Sequence, residues 1–87
     1  MSDSRERFES AILTLLEQRD AGKSICPSEA ARVIDPVRWR DHMEAIRNAA
    51  RTLARRGLIE ISQRGATVDP DGFRGPVRLR KPDEERG

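Results

Sequence analysis

The chain has one cysteine, Cys26, which excludes an internal disulfide and any zinc site built from several cysteines. It has no run of about 18 apolar residues, so no segment is long enough to span a membrane as a helix. The start, MSDSRERFES, is charged and has no apolar stretch of the kind a secretory signal needs. These absences point to a cytoplasmic protein that does not touch the membrane. Aromatic residues are scarce: Phe8, Trp39 and Phe73, with no tyrosine. Metal-ligand spacings, glycine-rich phosphate loops and a third residue to orient a catalytic pair are also missing, so no cofactor, metal or small-molecule substrate is expected.

With 87 residues the chain has room for one domain of marginal size. Hydrophobic residues make up 36 % and charged residues 37 %, with a mean hydropathy of -0.75. The chain is polar, yet its apolar residues recur periodically, which a disordered chain would not show. We expect one domain over residues 1–81 and a disordered polar tail over residues 82–87.

The net charge of +2 hides a strong segregation. Residues 38–56 carry six arginines against Asp41 and Glu44, and residues 64–81 carry five basic groups against Asp69 and Asp71. Residues 1–37 and the DEER tail are net acidic. Two basic segments suit a polyanionic partner. Fifteen of the seventeen basic residues are arginine, a bias that codon usage alone can produce.

Periodicity predicts the elements in order. Phe8, Ala11, Ile12, Leu15 and Leu16 form one face of a first helix from Ser4, its N-cap, to Arg19, closed by Gly22. Lys23-Ser24-Ile25-Cys26 is long enough only for a strand stub. Pro27 opens a short second helix to Ile34, with Cys26 at the cap and Ala30, Val33 and Ile34 facing inward. Asp35-Pro36 is a second start signal, and the stripe Trp39, Met43, Ile46, Ala50, Leu53 extends a third helix to Arg56, stopped by Gly57. Beyond Gly57 the period falls to two: Leu58–Ser62 and Pro76–Arg80 read as strands joined by a loop of about ten residues. The order is that of an α+β fold, mainly α: a winged helix-turn-helix, three helices followed by a β-hairpin wing.

At about 100° per residue from Trp39, residues Arg40, Arg47, Arg51 and Arg55 make a basic band beside the apolar stripe, with Asn48 at its far edge. Arginine and asparagine suit guanine and adenine edges in a major groove, so this band is a candidate recognition surface. Glu44 falls inside the band and would repel phosphate; an ordinary solvated helix face accounts for the pattern equally well. On the wing, Arg64, Arg74, Arg78 and Arg80 are candidate phosphate contacts, or basic side chains that protect an exposed edge strand. Trp39 and Phe8 are assigned to the core by their register, and Phe73 to packing the wing onto the body. Cys26 and His42 are the one nucleophile–base pair available; they fall on different elements, and Cys26 reads as a structural thiol. The expected function is non-enzymatic binding of duplex DNA, with protein–protein interaction on the same scaffold as the alternative.

Ile25-Cys26-Pro27-Ser28-Glu29-Ala30-Ala31-Arg32, Trp39-Arg40, Gly57-Leu58-Ile59-Glu60-Ile61-Ser62-Gln63-Arg64-Gly65 and Arg74-Gly75-Pro76-Val77-Arg78-Leu79 together resemble a family of short bacterial proteins classified as a domain of unknown function. The resemblance spans roughly residues 8–80 and implies a winged-helix-like fold, with Gln63-Arg64-Gly65 and Arg74-Gly75-Pro76 shaping the wing. It implies no activity, substrate or catalytic residue.

Overall fold

Just past the end of the third helix, Gly57 lets the chain reverse, and the last three strands of the sheet follow. The computed structural model describes residues 3–19 and 23–82. In chain order it forms α1 (Asp3–Glu17), β1 (Ser24–Ile25), α2 (Pro27–Ile34), a short 3-10 helix (Trp39–His42), α3 (Met43–Arg55), β2 (Glu60–Gln63), β3 (Ala66–Thr67) and β4 (Arg78–Arg80). The fold is α+β and mainly helical, with a winged-helix-like layout. Gly22 and residues 83–87 of the tail lie outside the described residues.

The helix ends follow from local chemistry. α2 spans the range its sequence predicts; Pro27 occupies its first turn, and the Glu29 carboxylate reaches back to accept the Cys26 backbone N–H at 3.1 Å. α3 closes in a Schellman motif: Gly57, at φ 78°, donates to the Ala54 carbonyl at 3.0 Å, and Leu58 donates to that of Leu53 at 2.9 Å. α1 begins at Asp3, which places Ser4 inside the helix and not at its cap, and it ends at Glu17. Its last residues relax into a turn, in which Arg19 donates to the Leu16 carbonyl at 3.1 Å, so Arg19 is not helical as expected.

The third helix does not run unbroken from Trp39. Asp35 caps a turn in its place, its Oδ1 accepting the backbone N–H of Val37 at 3.2 Å and of Arg38 at 3.0 Å. The carboxylate also pairs with His42 Nε2 at 3.2 Å, which pins both ends of the segment and leaves it wound as 3-10. The 3-10 winding advances about 120° per residue. Residues before Met43 are therefore rotated away from the positions a continuous α-helix would give them.

The sheet has four antiparallel strands in the order β1-β4-β2-β3, where the sequence predicts a two-stranded hairpin. The extra strand arises at Arg64-Gly65, a two-residue turn with both φ values positive, 54° and 84°, which is the hairpin geometry that matches strand twist. Ala66-Thr67 then pairs with Gln63 and Ser62 instead of opening the loop. β4 lies between β1 and β2, with Leu79 opposite both Ile25 and Ile61.

That register sets Ile25, Leu79 and Ile61 in one row facing the helices, each nearly inaccessible to solvent. Phe8, Ile12 and Leu16 of α1, Ala30 and Ala31 of α2, and Ile46, Ala50 and Leu53 of α3 close over them. Burial of each large side chain contributes about 1.5–3 kcal/mol. Several expected core positions differ: Leu15, Ile34 and Met43 are only partly buried at the core's edge. Ala31 replaces Val33 on the inner face of α2, leaving Val33 60 % exposed, and Trp39 is half-buried at the core's edge because the 3-10 winding turns it outward.

Candidate nucleic-acid interface

The long connection from Val68 to Val77 does not project from the body; it crosses α3 and is fastened there. Phe73 leaves the loop to pack on the core's edge, as its position between Gly72 and Arg74 suggests. Two guanidinium groups lie against its ring, Arg47 at 5.2 Å and Arg51 at 4.7 Å from the ring centroid. Arg47 Nη2 also donates to the Gly75 carbonyl at 2.6 Å. Arg55 pairs with Asp71, whose own N–H is satisfied by the Asp69 carboxylate at 2.9 Å. The hydrogen bond from Arg55 holds the Asp71 carboxyl below its ordinary pKa, and the same bond raises that of Arg55. At the loop's return, Gln63 Nε2 donates to the Arg74 carbonyl and, at 3.1 Å, to that of Pro76.

The basic band of the third helix is therefore brought together only in part. Arg47, Arg51 and Arg55 share one face, but all three engage the loop or its ring. Asn48 accepts from Arg51 at 2.6 Å, so the two side chains best suited to base edges satisfy each other. Arg40 stands apart from this face, against Trp39 with its guanidinium carbon 4.4 Å from the ring centroid, as the 3-10 rotation dictates.

On the wing, Arg64, Arg74 and Arg78 line a groove bounded by the end of β2, the Arg64-Gly65 turn and the loop's return to β4. Ser62, Gln63, Val68, Pro76 and Val77 complete it, and no carboxylate is among the lining residues. Arg64 and Arg74 are exposed and form no ion pair among the described residues. Arg78 is anchored across β1, donating to Ser24 Oγ at 2.9 Å and to the Ser24 carbonyl at 3.1 Å. Arg80 turns to the other side, where it pairs with Glu60 at 3.0 Å and donates to Thr67 Oγ1 at 2.8 Å; it sits outside the groove.

Gln63, which the resemblance implies shapes the wing, ties the two sides of the groove; two further contributors have no role assigned from the sequence, Asp71, which neutralises Arg55, and Arg32, which also lies on Trp39, 4.5 Å from its centroid. No spacing rule joins residues from separate elements, so the sequence carries no signal for these pairings. The Cys26 sulfur accepts from Ser28 Oγ at 3.2 Å, while His42 pairs with Asp35 and packs its ring near Phe8.

The layout and the wing groove define a small α+β domain with a winged-helix-like arrangement and an arginine-lined surface. Residues 5–82 match the family described as a protein of unknown function, DUF3253, and the chain belongs to that family. No curated protein matches it. No helix among the described residues is long and apolar enough to cross a membrane.

Proposed function

We propose that this domain binds duplex DNA through its phosphate backbone, using the wing groove, and carries out no catalysis. The observation that carries this reading is the groove itself: Arg64, Arg74 and Arg78 line it without an acidic residue, and Arg64 and Arg74 are exposed and form no ion pair among the described residues. Guanidinium groups match phosphate oxygens in bidentate geometry, so the two not anchored across β1, Arg64 and Arg74, on a concave surface suit a backbone better than an isolated base. α3 serves as the mount for the wing: Arg47, Arg51 and Arg55 hold the loop that carries Arg74. With Asn48 and Arg51 bonded to each other, base reading is weak and binding is largely independent of sequence. Affinity then lies in the non-specific range, a Kd of about 10⁻⁴ to 10⁻⁶ M at physiological salt.

A residue-resolved amide NMR titration with a generic short duplex, at low and moderate salt, tests the reading. Shifts over residues 62–65 and 74–78 that weaken with salt are expected; no shifts at low salt would overturn it. The second reading, a protein-interaction module, rests on a different surface, a groove between α1 and α2 lined by Ala11, Leu15, Val33 and Ile34 with Glu6 and Arg7 at its rim. Binding there would survive nuclease treatment and moderate salt.

A further inference from the structure

Trp39 carries two cations. The guanidinium carbons of Arg32, on α2, and Arg40, on the 3-10 helix, lie 4.5 and 4.4 Å from its ring centroid. An indole face attracts a guanidinium by about 0.5–2 kcal/mol, and stacking uses the flat side of the group, leaving its N–H edge free to donate. Among the described residues neither side chain makes an ion pair or a hydrogen bond. The neighbouring acids are mostly committed elsewhere: Asp41 to Arg38, Asp35 to His42 and the turn it caps, Glu29 to Arg19 and the Cys26 N–H. Glu44, one turn beyond Arg40, forms no ion pair with it. Both arginines are exposed, while the ring between α2 and the 3-10 helix is half-buried.

An exposed arginine without a carboxylate partner ordinarily samples many rotamers, and ordering it on binding costs entropy. The ring removes much of that cost by holding both guanidinium groups in place beforehand. Their donor edges remain unsatisfied, and their shared contact keeps them within reach of the same or adjacent phosphates of one strand. Arginine forks match phosphate oxygens pairwise, which a lone lysine charge would not do.

We infer that Arg32, Trp39 and Arg40 form a second phosphate-binding point, fitted to the phosphodiester of a nucleic-acid strand and separate from the wing groove. It rests on the reading of this domain as a backbone binder and gives that binder two points of attachment. Phosphate oxygens accept from the free N–H edges of the two arginines, and Trp39 fixes their position without touching the ligand.

Trp39 is the only tryptophan and the chain has no tyrosine, so its fluorescence reports this point alone. The test follows Trp39 emission and the anisotropy of a labelled short duplex in the same low-salt titration. A parallel titration uses inorganic phosphate, with sodium chloride at matched ionic strength as its control. The inference predicts a saturating change in emission with the same midpoint as the anisotropy, and a much weaker response to inorganic phosphate. Arg32→Gln and Arg40→Gln, with helical circular dichroism unchanged, should each weaken duplex binding severalfold and flatten the log–log salt slope by about 0.9. Duplex binding with silent Trp39 emission and an unaltered slope in both variants overturns the inference and leaves the wing reading standing. A saturating response to inorganic phosphate with no duplex binding overturns the strand as ligand and the wing reading together. Silence in every arm also overturns both.

Discussion

Phe73 packs under Arg51, the guanidinium carbon 4.7 Å from the ring centroid, and so closes the loop over the helix face that the sequence marks as most basic. Two residues earlier, Asp71 of the same loop takes the Arg55 guanidinium. α3 therefore meets its own wing first, and the arginines that the wing itself leaves for a partner are Arg64 and Arg74.

Phe73→Ala removes the ring that Arg47 and Arg51 grip. Part of the ring is already in solvent, so the loss should be about 1–2 kcal/mol, less than for a buried aromatic. Thermal denaturation should show that modest loss, and amide exchange over residues 69–76 should accelerate. Duplex binding should weaken as well, because Arg74 loses its mount.

Acid should loosen the same loop. The hydrogen bond from Arg55 holds the Asp71 carboxyl below its ordinary range, and the N–H of Arg38, with His42, does the same for Asp35. A carboxyl with a depressed folded-state pKa binds fewer protons folded than unfolded. Its contribution is complete above the unfolded value of about 3.9 and is lost as pH falls through the folded one. An NMR-monitored acid titration should show loop resonances moving only below about pH 4. Asp71→Asn should remove the loop's part of that transition and leave the part near Asp35.

Leu53 joins the helices to the sheet: its side chain is 1 % exposed, and its carbonyl accepts the N–H of Leu58 at the helix stop. Leu53→Ala should cost about 2–5 kcal/mol, read as a large drop in Tm with helical content retained at low temperature. Ile61→Val, on the row beneath, should cost about 0.5–1.5 kcal/mol.

Where local chemistry decides structure, the sequence was a good guide. Pro27 with Glu29, and Gly57 after Arg55-Arg56, fix their helix ends by backbone hydrogen bonds within a few residues, and the structure keeps both. Ile46, Ala50 and Leu53 follow from helical periodicity in the same way. Arginine seldom occupies a left-handed position, so the turn at Arg64-Gly65, and β3 beyond it, carry no signal in the sequence. The band that placed Arg40 beside Arg47 assumed one helical winding, and the Asp35–His42 pair imposes another before Met43. The loop's hydrogen bonds to α3 join residues 16 and 28 positions apart, Arg55 to Asp71 and Arg47 to Gly75, which no periodicity encodes.

The central claim is that the wing arginines, and not net charge alone, hold the backbone of a duplex. It is tested most directly by the salt dependence of duplex affinity for the native chain, for Arg64→Glu with Arg74→Glu, and for Arg5→Glu with Arg7→Glu on the exposed side of α1. Both double variants change the net charge equally. We predict that the wing variant loses at least about tenfold in affinity and that its log–log slope flattens by about 1.8, two phosphates' worth, while the α1 variant stays close to native. Equal losses in the two variants, or an unchanged slope in the wing variant, would contradict the account.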